Sequence, residues 1–207
     1  MDRAPISLVL HEGTPLRLCS GLSVRVRPVG PADAEAIQAF VRRLSDASRR
    51  LRFFAPIREL APSVLARLTE SAGRPGLVLL AEAYDGETCS MVALAQYAPG
   101  EDDGTCDLAL VVADAWQGLG LGRALMEMLI QSACDARCER AVVDVLRDNE
   151  AMLALARAYD FAAAWSPLGS TVLRLVRDLQ GAPSADRSRI STATAPRARP
   201  VAAFATL

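Results

Sequence analysis

Three glycines lie at the junction of a predicted strand and a predicted helix near the middle of the chain. Gly118, Gly120 and Gly122 alternate with leucines, apolar residues before them predict a strand over 106–113, and helical spacing after them predicts a helix over 121–137. A buried strand is predicted next, over 141–146. A strand followed by a helix and a second strand predicts a parallel pair, so this segment favours an α/β fold.

The flanking segments alternate between strand and helix patterns in the same way. A proline with acidic neighbours predicts a helix that begins at Pro31, and Asp85 and its neighbours predict a hairpin turn. The remaining predicted helices are 45–54, 63–69 and 150–159, and the remaining strands are 22–27, 77–84, 89–97, 161–165 and 171–176.

The chain of 207 residues has room for one ordinary domain. Residues 1–20 have no clear hydrophobic period and are interpreted as an N-terminal extension. Residues 181–207, rich in Ala, Pro, Ser and Arg, cannot form a packed core and are predicted to be a disordered tail. The domain is therefore expected to span 21–180.

The composition excludes several kinds of chemistry. All 23 basic residues are arginines, so a phosphate-loop lysine and a Schiff-base lysine are impossible, and a single histidine, His11, argues against a Ser–His–Asp triad. A net charge of −1 argues against non-specific nucleic-acid binding. No metal site is expected, because the five cysteines are interpreted as buried apolar residues of a reducing cytosol. With no signal peptide and no membrane-length apolar run, a cytoplasmic location is expected.

The glycine-rich segment has the features of an anion site. Glycines permit close approach of the backbone, and a helix start presents unpaired N–H groups at the positive end of its dipole, which suits a pyrophosphate. A dinucleotide fingerprint requires Gly-x-Gly-x-x-Gly, whereas here the spacing is Gly-x-Gly-x-Gly. A tight turn without a ligand remains an alternative at this point.

The segment from Gln117 to Gly122 resembles the Q/R-x-x-G-x-G/A motif of the GNAT superfamily of N-acetyltransferases, and the likeness extends from about Leu22 to Val176. Residues 43–54 and 145–152 look closer still to the acetyltransferase domain of bacterial protein-lysine acetyltransferases. The resemblance implies a mixed central sheet of six to seven strands, flanked by helices, with a splayed strand pair that holds the acyl-CoA.

The resemblance also implies acetyl-CoA as donor and names the residues that would hold it. Backbone groups of Leu110, Val111 and Val112 would pair with the pantetheine arm as an added strand does. Asn149 would contact the pantetheine, or cap the following helix, or both. Backbone amides would hold the pyrophosphate at Gln117, Gly118, Leu119, Gly120, Leu121, Gly122 and Arg123.

Asp107 stands where the protein-acetyltransferase branch has its glutamate base, but its side chain is one methylene shorter, so a base that acts through a relay water is expected; a strand-end or surface acid is the alternative. The N–H of Val111 or Val112 would polarise the thioester carbonyl. Ala156 occupies the position of the tyrosine general acid of many superfamily members, and Tyr159 is expected to pack. The second helix is flanked by Arg49, Arg50, Arg52 and Arg58, which are interpreted as solvated surface charge, with docking of an acceptor as the alternative.

The sequence thus predicts an acetyl-CoA-dependent N-acetyltransferase whose acceptor is a primary amine, first of all a protein lysine side chain. Acetylation of a small-molecule amine and a non-catalytic acyl-CoA sensor are the alternatives, since the motif specifies the donor and not the acceptor. No nucleic-acid or membrane partner is expected, and the chain is predicted to be a monomer or a homodimer.

Overall fold

The computed structural model describes residues 13–18, 20–70, 75–85 and 88–180. Within these ranges eight strands form one mixed sheet in the order β1-β2-β3-β4-β5-β6-β8-β7. The strands are β1 (Thr14–Arg17), β2 (Ser23–Pro28), β3 (Leu77–Asp85), β4 (Thr88–Pro99), β5 (Thr105–Val112), β6 (Arg140–Leu146), β7 (Ala162–Ala164) and β8 (Val172–Asp178).

In the described ranges five α-helices cover the sheet, and their starts follow the sequence. The Ser45 side chain accepts a hydrogen bond from the Ser48 N–H and caps the second helix, while Pro62 begins the third. The helices are α1 (Ala34–Arg43), α2 (Asp46–Phe53), α3 (Pro62–Thr69), α4 (Leu121–Asp135) and α5 (Glu150–Ala158). In the described part of the chain no helix is both long and apolar enough to cross a membrane.

The two faces of the sheet carry separate cores, because successive side chains of a strand point to opposite faces. Leu125 and Leu129 of α4 are fully buried on one face, in the same cluster as Val112. Ile37 and Phe40 of α1 are buried in the other cluster, with Val111. Adjacent residues at the end of β5 thus anchor both layers.

The predicted α/β fold is confirmed, with eight strands in the described part of the chain instead of six to seven. One strand that the sequence did not predict is β1, which lies inside the predicted extension and pairs antiparallel with β2, Leu16 opposite Val24. Four residues are too few to show a hydrophobic period, which is why the pattern was missed. Residues 1–12 and 181–207, including His11 and the predicted tail, lie outside the described residues.

Strands β5 and β6 are parallel neighbours that separate after a short paired stretch. Their register runs from Thr105 opposite Arg140 to Asp107 opposite Val142, and no pairing between them is recorded beyond this point in the described ranges. The rest of β6 continues alongside β8, and the rest of β5 alongside β4. This confirms the splayed strand pair and leaves a gap beside the second half of β5.

Candidate functional site

A cleft of about 400 Å³ lies at the gap between β5 and β6. Three parts of the sequence-predicted site meet there: the end of β5, the glycine-rich loop and Asn149 at the start of α5. Its lining comprises Ser48, Leu51, Arg52, Leu110, Val111, Val112, Gln117, Gly118, Gly120, Gly122, Arg123, Asn149, Ala151, Met152, Ala154 and Leu155.

The glycine-rich loop adopts backbone angles that favour glycine. Gly118 has φ 74° and Gly120 has φ 92°, and a Cβ atom at either would meet nothing within 4 Å. Gly120 also precedes the first residue of α4, and no side chain of the described residues caps this helix. The first N–H groups of α4 therefore have no intrahelical acceptor and adjoin open space, which suits an anion.

Gln117 holds the loop to its surroundings through its side chain. Its amide Nε2 donates to the Val112 carbonyl oxygen at 3.1 Å and to the Ser48 hydroxyl at 3.1 Å. The Ser48 hydroxyl in turn donates to Asp114 at 2.7 Å. These bonds connect β5, the loop and α2 and fix the loop relative to the cleft.

Beyond Asp107, no strand among the described residues pairs with the edge of β5 that faces the gap. The Ala113 N–H donates to the Val92 carbonyl oxygen of β4 at 2.8 Å. Since consecutive N–H groups of a strand point to opposite edges, those of Leu110 and Val112 face the gap, and that of Val111 faces β4. Of the two N–H groups expected to polarise a carbonyl, the geometry therefore favours Val112 over Val111.

Asn149 caps α5 and also lines the cleft. Its Oδ1 accepts a hydrogen bond from the Met152 N–H at 3.1 Å. The capping role expected from the sequence is thus confirmed, and the side-chain NH₂ group remains available to a ligand in the cleft.

Asp107 lies where β5 and β6 separate, and it is not among the residues that line the cleft. It precedes Leu110 by three residues, which is about 10 Å along a strand. Burial raises the pKa of Asp107 to about 6, with Arg174 opposing the rise and Asp144 adding to it. Arg174 and Asp144 form a two-point ion pair at 2.9 and 2.7 Å on the neighbouring strands. At neutral pH Asp107 is mostly ionised and is a competent proton acceptor.

Ala156 is fully buried, so the backbone position of the absent tyrosine is part of the core. Tyr159 packs against the same cluster, as expected, and its hydroxyl donates to the Arg123 carbonyl oxygen at 2.9 Å. Leu121 is also fully buried and Leu119 packs against the core, and neither lines the cleft. Both leucines can contribute only backbone groups to a ligand there.

Helix α2 contributes to the cleft in a way that the sequence did not predict. Ser48, Leu51 and Arg52 have helical spacing i, i+3 and i+4, so one face of α2 lines the cleft. The interpretation of the nearby arginines as solvated surface charge is wrong for Arg49, which is 8% exposed and donates to the Arg42 carbonyl oxygen at 3.1 Å. It is wrong for Arg52 too, because the Nε atom of this cleft-lining side chain is buried.

No group of three or more His, Cys, Asp and Glu side chains among the described residues is arranged to hold a metal ion. The arrangement instead offers main-chain donors at a helix start and an open strand edge beside a largely apolar channel. These features are suited to an elongated ligand with an anionic end.

Comparison with known proteins places these features in one family. A model described as the acetyltransferase (GNAT) family matches residues 42–161. A Pseudomonas aeruginosa protein named acetyltransferase PA5475 is 34% identical over 116 residues, which are 56% of this chain and 62% of that protein. The chain therefore aligns with less than two thirds of that relative.

Two solved structures illustrate the structural likeness. The GNAT domain of S. lividans PAT is 28% identical, with a TM-score of 0.71, over 80% of this chain and 96% of that one. YncA of Salmonella typhimurium, solved with its cofactor acetyl-CoA, is 20% identical, with a TM-score of 0.61, over 79% of this chain and 98% of that one. The second likeness supports the fold alone.

Proposed function

Because the chain belongs to the GNAT family of acetyltransferases, which are acyl-CoA N-acyltransferases, we propose that it transfers an acetyl group from acetyl-CoA to a primary amine, with a protein lysine side chain as the first acceptor to test. The observation that carries this proposal is the cleft, in which a glycine-rich helix start adjoins the open edge of β5. The choice of acceptor is supported by the resemblance of residues 43–54 and 145–152 to the acetyltransferase domain of bacterial protein-lysine acetyltransferases.

In this proposal the pyrophosphate of acetyl-CoA binds the N–H groups of the loop from Gln117 to Arg123. The left-handed backbone of Gly118 and Gly120 and the unpaired N–H groups at the start of α4 support this position. The pantetheine arm then lies along the edge of β5 in the gap that opens where β6 diverges from it. Leu110 and Val112 would supply the strand-edge hydrogen bonds.

The transfer step requires a neutral amine, because a lysine ammonium of pKa ~10.4 has no lone pair for the attack. We assign the deprotonation to Asp107, directly or through a water. The raised pKa of Asp107, about 6, supports a base that is ionised at neutral pH and still basic enough to accept a proton. An N–H on this open edge of β5 would stabilise the oxyanion that forms on the thioester carbonyl as the amine attacks. The C–S bond then breaks, and CoA leaves as the thiolate, which takes up a proton.

Two observations favour a different candidate, a non-catalytic acyl-CoA sensor. Ala156 is fully buried where many members of the superfamily carry a tyrosine acid, and Asp107 lies outside the cleft lining. A sensor would bind acyl-CoA tightly and would not accelerate acyl transfer. A small-molecule amine as acceptor is the alternative within the enzyme proposal.

Release of free thiol from acetyl-CoA tests these candidates together. It should be measured with no acceptor, with a lysine peptide, with the same peptide acetylated on its lysine, and with a panel of small amines. Stimulation by the lysine peptide alone supports the proposed acceptor, and stimulation by a small amine alone replaces it. Tight CoA binding without turnover on any amine would favour the sensor and refute both enzyme candidates.

A further inference from the structure

Arg52 is a cation inside the cleft without a counter-ion among the described residues. It lies on the face of α2 that lines the cleft. Its Nε is buried without a hydrogen-bond partner, and none of the described residues forms an ion pair with its guanidinium. The guanidinium carbon of Arg52 lies over the ring of the neighbouring Phe53, 5.0 Å from the ring centroid.

The carboxylates that contact α2 are already engaged with other groups. Asp114 accepts hydrogen bonds from Ser45 and Ser48. Asp46 pairs with Arg49, and Asp148 pairs with Arg50. Arg52 is thus left beside apolar lining residues, with five N–H donors and no acceptor supplied by these acids.

An unpaired cation in such a place is costly unless a ligand brings the missing negative charge. Burial lowers the pKa of Arg52 to about 10, which still leaves the guanidinium charged at neutral pH. Arg52 follows Ser48 by one helical turn, about 6 Å along the axis, and Ser48 bonds directly to Gln117 of the glycine-rich loop. A ligand held by that loop is therefore within the span of an arginine side chain.

We propose that Arg52 binds an oxyanion of the acyl-CoA donor, an inference that rests on the proposed function. Two groups of a donor have this chemistry: a phosphate of CoA and the terminal carboxylate of a dicarboxylic acyl group such as succinyl. Both accept paired hydrogen bonds from a guanidinium. The donor thus provides the counter-ion that the described residues lack at this position.

Binding of CoA, acetyl-CoA and succinyl-CoA to the wild type and to Arg52→Met tests the assignment by calorimetry. If the partner is a phosphate, the variant should bind all three about 10- to 100-fold more weakly. If the partner is the acyl carboxylate, only succinyl-CoA should lose this factor. In either case the loss should shrink as salt is raised, since it is a loss of charge attraction.

The controls separate loss of the charge from loss of the fold. Arg42 lies on α1, is exposed and pairs with Glu59. The Arg42→Met variant should therefore bind all three ligands like the wild type. Arg52→Lys keeps the charge and should lie between the wild type and Arg52→Met. Thermal unfolding of ligand-free Arg52→Met should be unchanged or raised in Tm, because an uncompensated charge has been removed.

Unchanged affinity of Arg52→Met for all three ligands would overturn the proposal, as would a loss that is equal at low and high salt. A wild type that binds none of the three would instead refute the proposed function. The two failures are therefore distinguishable in one set of titrations.

Discussion

The Asp114 carboxylate accepts a hydrogen bond from the Ser48 hydroxyl at 2.7 Å, across 66 positions of sequence. It also accepts from the N–H and the hydroxyl of Ser45, at 2.9 and 2.6 Å. Partial burial raises the pKa of Asp114, but the hydrogen bonds from Ser45 and Ser48 outweigh it and lower the pKa below its usual value. One carboxylate thus connects the start of α2 to the segment that leads into the glycine-rich loop.

Replacing Asp114 with alanine should loosen this connection. We expect the free energy of unfolding to fall by about 1–2 kcal/mol, since three hydrogen bonds to a charged acceptor are lost. CoA affinity should fall as well, because Ser48 then holds Gln117 less firmly. Chemical denaturation and calorimetry with CoA measure the two effects.

The control for Asp114 is Asp103→Ala, which removes an exposed acid in the turn before β5. It should leave the unfolding free energy and the CoA affinity unchanged.

The lowered pKa of Asp114 also fixes how the unfolding free energy depends on pH. The stabilisation by Asp114 is present above the unfolded pKa of about 4 and is lost as pH falls through the folded value. An Asp114→Ala variant that binds CoA like the wild type would show that the loop keeps its shape without this carboxylate.

A valine at Gly120 should abolish CoA binding. The backbone of Gly120 has φ 92°, so any side chain is strained there. The valine side chain would also project into the open space beside the loop, where the pyrophosphate is proposed to bind. We expect at least about a 100-fold weaker affinity, measured by calorimetry with CoA.

Gly21→Val is a matched control for the backbone strain. Gly21 has φ 86° and, like Gly120, nothing within 4 Å of a Cβ, but it lies in the turn between β1 and β2. Both variants should lose a similar amount of stability, about 1–2 kcal/mol, by thermal or chemical unfolding. Equal CoA affinity of Gly120→Val and Gly21→Val would argue against the loop as the phosphate site.

Asp107→Asn should separate catalysis from stability. For the wild type, kcat/KM with an amine acceptor should decline as pH falls through about 6, because Asp107 then becomes protonated. The variant should lose this limb of the pH profile and at least about 100-fold in kcat/KM, while CoA affinity is kept.

The same substitution should increase stability at neutral pH. The folded state binds the proton of Asp107 more tightly than the unfolded chain, whose pKa is about 4, so the unfolding free energy of the wild type decreases from about pH 4 to pH 6. An asparagine side chain at this position cannot ionise and avoids this decrease. The charge of Asp103 is not among the causes of the pKa shift of Asp107. The Asp103→Asn variant should therefore keep the wild-type pH dependence of both the unfolding free energy and kcat/KM. An unchanged pH profile of kcat/KM in Asp107→Asn would remove Asp107 as the base.

The glycine-rich loop could be predicted from the sequence because its signals are local. A strand period, alternating glycines and a helix period follow one another within 32 residues of chain, from Cys106 to Arg137. The open edge of β5 followed from the family resemblance, and the register confirms that β6 departs after Asp107.

The role of α2 could not be predicted in this way. It has eight residues, too few for a clear apolar face, and the composition DASRRLRF resembles a solvated surface. Whether Arg49 and Arg52 are covered depends on how α2 packs against distant segments, among them Asp114 and Asp148. Such long-range contacts leave no periodic trace in one sequence.

Asn149 combines two roles that suitable substitutions can separate. Asn149→Ala removes the acceptor of the Met152 N–H and should lower the unfolding free energy by about 1 kcal/mol. Asn149→Ser restores a cap acceptor but offers no NH₂ group to the cleft. If the NH₂ group binds the pantetheine, both variants should lose about 10-fold in CoA affinity, while only alanine loses stability. Serine with wild-type affinity would restrict Asn149 to capping, and denaturation curves with CoA titrations distinguish the two outcomes.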